Sequence, residues 1–403
     1  DMPSGLEPII LKLLAKDPEC RYSSAAVVRD ALALAGTGPV AGSVTEPGAM
    51  AGLTRGRLVG REAELTRLQE LGRASSAGGC RLALVSGEPG VGKTRLATEV
   101  MATAQLDRAE VLVGGCYENE ATTPYLPFLE AFRKVVRERH DEKLRRLLGD
   151  SAAEIARLAP EIESRLGPLS RCPTLSPQEE RLRLFDHVAR FLARLSEPAG
   201  LLVFLDDVHW ADHGTLSLLQ YLLRHLDDRR VLFLAAYREI EVGRSHPLAK
   251  ALVDWNRDRA ATRLKVERLD LATTGRMLAT LLGQEEVPDA LVTRLHAETE
   301  GNPFFVEEVV KALIADGGLV RTGSRWQVQT TERLVLPQSV KAAVGGRLAR
   351  LSDRGNDVLS TAAVLGKQFD FAELASVSTV PEDQLLDALD EACSAQLVDA
   401  GRG

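Results

Sequence analysis

Hydrophobic and polar positions fall into two regimes along this chain. Short, nearly unbroken apolar runs at Leu82–Val85, Glu110–Cys116, Leu201–Leu205 and Val231–Tyr237 end in glycines, acids or an arginine. Runs of this kind predict buried strands of a parallel sheet covered on both faces. Thr262–Asp270 reads as a last strand leading out of that sheet. The stretches between predict helices: one from Leu65 to about Ala74, one over Arg95–Leu106, several over 124–170 broken at Pro124, Pro127, Pro160 and Pro168, one from Ser176 to about Leu195, and one over 248–258. Ser176 with Glu179 three residues on forms a capping-box pattern. Asp212 stands where an N-cap belongs, ahead of a helix carrying Leu216, Leu219, Leu222, Leu223 and Leu226 on one face. Beyond residue 270, Thr273–Leu282 and Pro288–Thr299 read as amphipathic helices. Gly301-Asn302-Pro303 then breaks the pattern before another helix. Residues 337–402 read as short helices, Pro337–Leu351, Asp353–Leu365, Phe371–Ser376 and Pro381–Ala395, followed by a strand at Leu397–Val398.

The first strand leads into Gly87-Glu88-Pro89-Gly90-Val91-Gly92-Lys93-Thr94 and then into a helix without Gly or Pro. Strand, glycine loop and helix is the context in which G-x-x-x-x-G-K-T becomes a phosphate site. Glycines let backbone N–H groups converge without Cβ clashes, and the helix N-terminus adds partial positive charge. Lys93 is expected to reach the β- and γ-phosphates, and the Thr94 hydroxyl to ligate Mg²⁺. Gly87 through Arg95 are the candidate phosphate-binding residues.

Leu201-Leu-Val-Phe-Leu-Asp206-Asp207 ends a predicted central strand in two carboxylates, and ligands gather at that end of an open α/β sheet. This is the Walker B arrangement. Asp206 is expected to hold Mg²⁺, and Asp207 to orient or deprotonate the attacking water. The residues leave open whether Asp207 or His209 positions that water. Aspartate at the second position, one methylene shorter than glutamate, suits a slow, switch-like ATPase as much as a fast motor. Arg238, ending the next strand, is expected to point at the γ-phosphate.

The net charge of −7 and 4% aromatic content argue against nucleic-acid coating and against stacking platforms for single strands. The five cysteines are scattered without a C-x-x-C pair, so neither a zinc site nor a disulfide framework is indicated. No apolar run reaches the ~18 residues of a membrane span, and no signal peptide is evident. The expectation is a reducing, cytoplasmic compartment and no membrane partner. No Asn-Lys-x-Asp guanine motif occurs, which favours ATP over GTP.

Taken together, the phosphate loop, Asp206-Asp207, Arg238 and Gly301-x-Pro303 resemble the STAND branch of the AAA+-related P-loop ATPases, over about residues 57–400. The resemblance implies an α/β fold: a P-loop NTPase parallel sheet flanked by helices over 57–270, an α-helical lid over 271–336, and an incomplete, truncated winged-helix-like domain over 337–403. It implies that Val59, Gly60 and Arg61 lie beside adenine and that Pro303 packs on it. It further implies an ATP-binding signal-transduction switch with slow hydrolysis, holding ATP/ADP, with protein partners or self-association through the lid and whatever follows it. In such relatives kinase, cyclase or helix-turn-helix domains adjoin the core, and DNA would be reached only through domains absent here. The alternative is a DNA-binding initiator or loader-type AAA+ ATPase. Residues 1–35, with Leu-Leu-Ala-Lys16-Asp17-Pro18-Glu19-x-Arg21-Tyr22-Ser23-Ser24-Ala, resemble the C-terminal end of a bacterial serine/threonine protein kinase domain. The kinase ATP loop, catalytic Asp and Mg²⁺ ligands are missing, so this stretch is not expected to phosphorylate anything. The Gly/Pro/Ser/Thr-rich residues 36–56 read as a flexible linker. With no Met at its start, the chain is expected to be part of a larger polypeptide.

Overall fold

A computed structural model describes residues 58–120, 123–169, 173, 175–243, 246–257, 261–322, 325–328, 345, 348, 351–366, 369–395 and 397–398. All of these belong to the unit Gly52–Gly403. The kinase-like stretch 1–35 and the linker 36–56 lie outside the described residues, as does most of Pro337–Leu351.

Five parallel strands form one sheet: β1 (Arg81–Gly87), β2 (Glu110–Gly115), β3 (Leu201–Asp206), β4 (Val231–Tyr237) and β5 (Ala261–Val266). Their order is β2-β3-β4-β1-β5. The central strands are apolar throughout because both sheet faces are covered. Leu82, Leu84, Val203, Leu205, Phe233 and Ala235 pack under helices Leu126–Glu138, Pro177–Ser196 and His213–His225. The alternating Ala83, Val85, Leu202, Phe204, Leu234 and Ala236 pack under helices Glu62–Ser76 and Lys93–Leu106. Each large side chain so buried contributes about 1.5–3 kcal/mol. Gly114 fits this packing because a Cβ there would lie 1.9 Å from the carbonyl oxygen of Pro127, at the start of the covering helix.

The strand order sets up the chemistry. Strand β4 lies between β1 and β3, pairing Leu84 with Ala235 on one side and Ala235 with Leu205 on the other. Whatever follows Tyr237 therefore emerges between the glycine loop and the paired acids. Both predicted caps are present: Ser176 and Glu179 form a reciprocal capping box, and the Asp212 carboxylate accepts from the Gly214 and Thr215 amides.

After β5 come helices Leu271–Leu282, Asp289–Thr299 and Pro303–Ala315. The segment expected to be an α-helical lid over 271–336 also contains an antiparallel hairpin, β6 (Leu319–Thr322) with β7 (Arg325–Val328). Its anchor is Trp326, buried, with Nε1 donating to the Leu282 carbonyl at 2.9 Å and its amide to Gln284 Oε1 at 3.0 Å. Helices Asp353–Leu365, Phe371–Val377 and Glu382–Ser394 surround a small core of Val358, Ala362, Leu374, Leu385 and Ala388. The strand expected at Leu397–Val398 does not form. The Leu397 amide donates back to the Ala392 carbonyl at 3.0 Å, so the chain turns on leaving the helix instead of extending.

Candidate functional site

The loop after β1 adopts backbone that only glycine takes without strain at three places: Gly87, Gly90 and Gly92 have φ of +155°, +79° and +102°. A Cβ at Gly92 would meet nothing within 4 Å, so this stretch of backbone lies open. Val91, between them, is buried and pins the loop to the core. Lys93 is 7% exposed, and its ammonium donates to the carbonyls of Gly87 at 3.0 Å and Glu88 at 2.9 Å. Two of its three donors thus hold the loop in shape. Burial pushes its pKa down to about 8, against the pull of Asp207. An ammonium held this way is short of a counter-anion, and a phosphate supplies one.

Across β4, the Thr94 hydroxyl donates to Asp206 Oδ2 at 2.9 Å. The hydroxyl that opens the helix and the carboxylate that closes β3 therefore share one spot. Burial raises the Asp206 pKa, and Asp207 beside it raises it further, while Thr94 opposes both. A hydroxyl and a partly desolvated carboxylate are hard oxygen donors of the kind that suit Mg²⁺. Asp207 follows in left-handed backbone at φ +50°, costly for a non-glycine residue. Its Oδ2 lies 3.7 Å from Arg238 Nη2. Arg238 sits 4.8 Å over the Trp210 ring and donates to Glu241 Oε1 at 2.7 Å. His209 is buried rather than facing a ligand, with its ring nitrogens toward Arg238, Asp207 and Glu241.

A cavity of about 390 Å³, within the range of small-molecule sites, adjoins these groups, with Asp206, His209, Trp210 and Glu241 set behind its lining. Lys93, Thr94, Asp207 and Arg238 line one side; Met277, Leu281, Pro303 and Phe304 line the other. Val59 also lines it. At Gly60, φ is +72° and a Cβ would lie 2.0 Å from Thr273 Cγ2, so the segment opening the domain approaches helix Leu271–Leu282 as closely as glycine permits. Arg61 lines the cavity too, but its guanidinium donates to the Val91 carbonyl at 3.3 Å, to the Glu267 carbonyl and to Glu64 Oε1 at 3.3 Å. It braces the loop. Arg95 lines the cavity and pairs with Glu99 at 3.3 Å, while Glu88 accepts from Arg268 Nε at 2.8 Å.

Pro303 stands at the first turn of its helix, where its missing N–H costs nothing. Asn302 before it caps the helix and also donates from Nδ2 to the Pro89 carbonyl at 3.0 Å; the Phe304 amide donates to the Gly90 carbonyl at 3.3 Å. The tip of the glycine loop is thus held from the opposite wall. Sequence reasoning passed over Asn302 and Glu241. The signals were present, a capping residue type between Gly and Pro and an acid three residues after Arg238.

Residues 57–234 match the family model of the AAA ATPase domain. Residues 273–317, the helices of the opposite wall, match a domain of unknown function, DUF8739. A Walker-type ATPase of Pyrococcus abyssi is similar in structure, with a TM-score of 0.52 at 18% identity over 84% of this chain and 90% of that one. RuvB of Thermotoga maritima aligns with a TM-score of 0.35 at 14% identity, over 85% of this chain and 91% of that one. The ORC2 protein of Aeropyrum pernix aligns with a TM-score of 0.36 at 16% identity, over 86% and 88%. No curated protein matches the sequence. The fold is the P-loop NTPase fold, a parallel sheet flanked by helices, and the glycine loop that borders the cavity lies within the residues that match the AAA ATPase domain model. Among the described residues, no helix is long and apolar enough to cross a membrane.

Proposed function

We propose that this chain is an ATP-binding, slowly hydrolysing switch module of the STAND type, part of a larger kinase–ATPase regulator. The observation that carries the proposal is the cavity itself. Phosphate-side groups from residues 87–238 face an apolar wall from residues 269–307, and the two sides are joined by hydrogen bonds at the loop tip.

In this reading the backbone N–H groups between Gly87 and Arg95, Pro89 excepted, and the Lys93 ammonium bind the β- and γ-phosphates. Thr94 and Asp206 hold Mg²⁺, which when bound neutralises phosphate charge. Asp207 orients the attacking water and accepts its proton, and Arg238 stabilises charge on the γ-phosphate. Val59, Gly60, Pro303 and Phe304 enclose the base. Slow turnover is supported by Asp207 being a short side chain already facing Arg238. Residues 271–336 act as the lid, 337–403 as a winged-helix-like domain, and the packing of both follows the state of the γ-phosphate.

The test is nucleotide retention and turnover for wild type, Lys93→Ala and Asp207→Asn. Lys93→Ala is expected to lose nucleotide, and Asp207→Asn to keep ATP but not cleave it. Full nucleotide affinity in Lys93→Ala would remove the basis of the proposal.

A further inference from the structure

Behind the paired acids lies a buried imidazole. His209 is 2% exposed, on the turn that follows the paired acids, and it faces the turn Glu239–Glu241 that follows β4. Its Nδ1 accepts from the Arg238 backbone amide at 3.4 Å, which leaves the ring proton on Nε2. Nε2 lies 3.3 Å from Glu241 Oε2, and the other oxygen of that carboxylate takes Arg238 Nη1 at 2.7 Å. A single carboxylate thus lies between a buried imidazole behind it, whose Nε2 is close but makes no well-aligned hydrogen bond, and the guanidinium in front, which donates to it. Burial opposes ionisation of Glu241, yet His209 and Arg238 hold it far below the usual carboxylate range. The guanidinium is boxed on its remaining sides by the Trp210 ring and Asp207.

We infer that Glu241, backed by His209, is a positioning residue that aims Arg238 at the third phosphate of a bound nucleoside triphosphate and keeps it beside Asp207. This rests on the proposed ATPase reading of the site. Physically, an arginine on a flexible stem contributes to a transition state only if its direction is fixed beforehand. The His209–Glu241 pair fixes it by tying together the turns that leave β3 and β4. Glu241 carries negative charge near the phosphates, so it does not assist ground-state binding of ATP. Its contribution falls on turnover.

The experiment measures ATP turnover, with kcat and KM separated, for wild type, Lys93→Ala, Glu241→Gln, Arg238→Ala and the Glu241→Gln/Arg238→Ala double variant. Glu241→Gln is expected to lower kcat roughly ten- to a hundredfold without raising KM. In the Arg238→Ala background it is expected to lower kcat no further. His209→Gln places an amide N–H where Nε2 stood, and His209→Leu fills a similar volume with no N–H. His209→Gln is therefore expected to retain more kcat than His209→Leu, an order that loss of packing alone does not produce. Wild-type kcat in Glu241→Gln, a raised KM at unchanged kcat, or a full additive loss in the double variant overturns the inference while leaving the ATPase reading intact. Wild-type turnover no greater than that of Lys93→Ala overturns the ATPase reading and this inference with it.

Discussion

Asn302 offers a direct measure of how firmly the apolar wall is tied to the phosphate loop. The residue is 2% exposed. Oδ1 caps the helix by accepting from the Phe304 amide at 3.1 Å, and Nδ2 donates to the Pro89 carbonyl at 3.0 Å. Asn302→Ala removes both. Because the Phe304 amide keeps a second acceptor in Gly90, 3.3 Å away, the lost cap costs toward the low end, about 0.5–1 kcal/mol. The orphaned Pro89 carbonyl adds about 1 kcal/mol. The sum, about 1.5–2 kcal/mol, shifts the ratio of docked to undocked wall by roughly 10- to 30-fold. Asn302→Asp separates the two effects: it keeps the cap but sets a carboxylate oxygen against the Pro89 carbonyl. Amide hydrogen exchange at Val91 and along Pro303–Ala315, with urea denaturation, reads the result. Faster exchange in both variants is expected. If Asn302→Asp exchanges and unfolds like wild type, the bond to Pro89 contributes nothing and the wall is held by apolar packing alone.

Three further outcomes are expected. Gly301→Ala places a Cβ 1.9 Å from the Leu269 carbonyl oxygen at φ +74°, so it destabilises by more than about 2 kcal/mol, read as a lowered Tm. Lys93, held near pKa 8 by burial in the nucleotide-free fold against an ordinary 10.5, sheds its proton on folding between those values. Its burial penalty is therefore full below pH 8 and fades as pH rises toward 10.5. A bound phosphate restores the charged form, so nucleotide binding is expected to take up a proton above about pH 8 but not near pH 6. Calorimetry in buffers of different ionisation enthalpy shows whether it does. Thr94→Val keeps the side-chain shape but removes the hydroxyl 2.9 Å from Asp206. Mg²⁺ affinity is expected to fall at least roughly tenfold, measured by Mg²⁺ titration of nucleotide retention.

Much of the geometry of the glycine loop and the paired acids was legible in the sequence because it is local. Three glycines at positive φ, the lysine and threonine after them, and two acids ending an apolar run are each defined by near neighbours. Strand order was not legible. Nothing in Val231–Tyr237 says that it pairs with both β1 and β3, yet that placement puts Arg238 between Lys93 and Asp207. Nor was the hold of Asn302 on Pro89 readable, since the partners lie 213 residues apart and one of them is a backbone carbonyl. The hairpin Leu319–Val328 was missed for a similar reason. Its strands are four residues each, too short for a period, and its anchor Trp326 bonds to a distant carbonyl. Arg61 illustrates the converse. Its position beside the cavity follows from the family resemblance, while its engagement by three protein groups follows only from the folded loop.

The apolar wall follows β5, which among the described residues is an edge strand paired only with β1. That ladder ends with Val266 opposite Gly87, whose missing Cβ would lie 2.5 Å from the Val266 carbonyl oxygen. Mechanical load on the wall therefore reaches the loop at two places, in shear along the β1–β5 ladder at Gly87 and through the Asn302 and Phe304 bonds at Pro89 and Gly90. A pull strong enough to part these loosens the loop before it disturbs the acids on β3, which lie two strands from β5's neighbour.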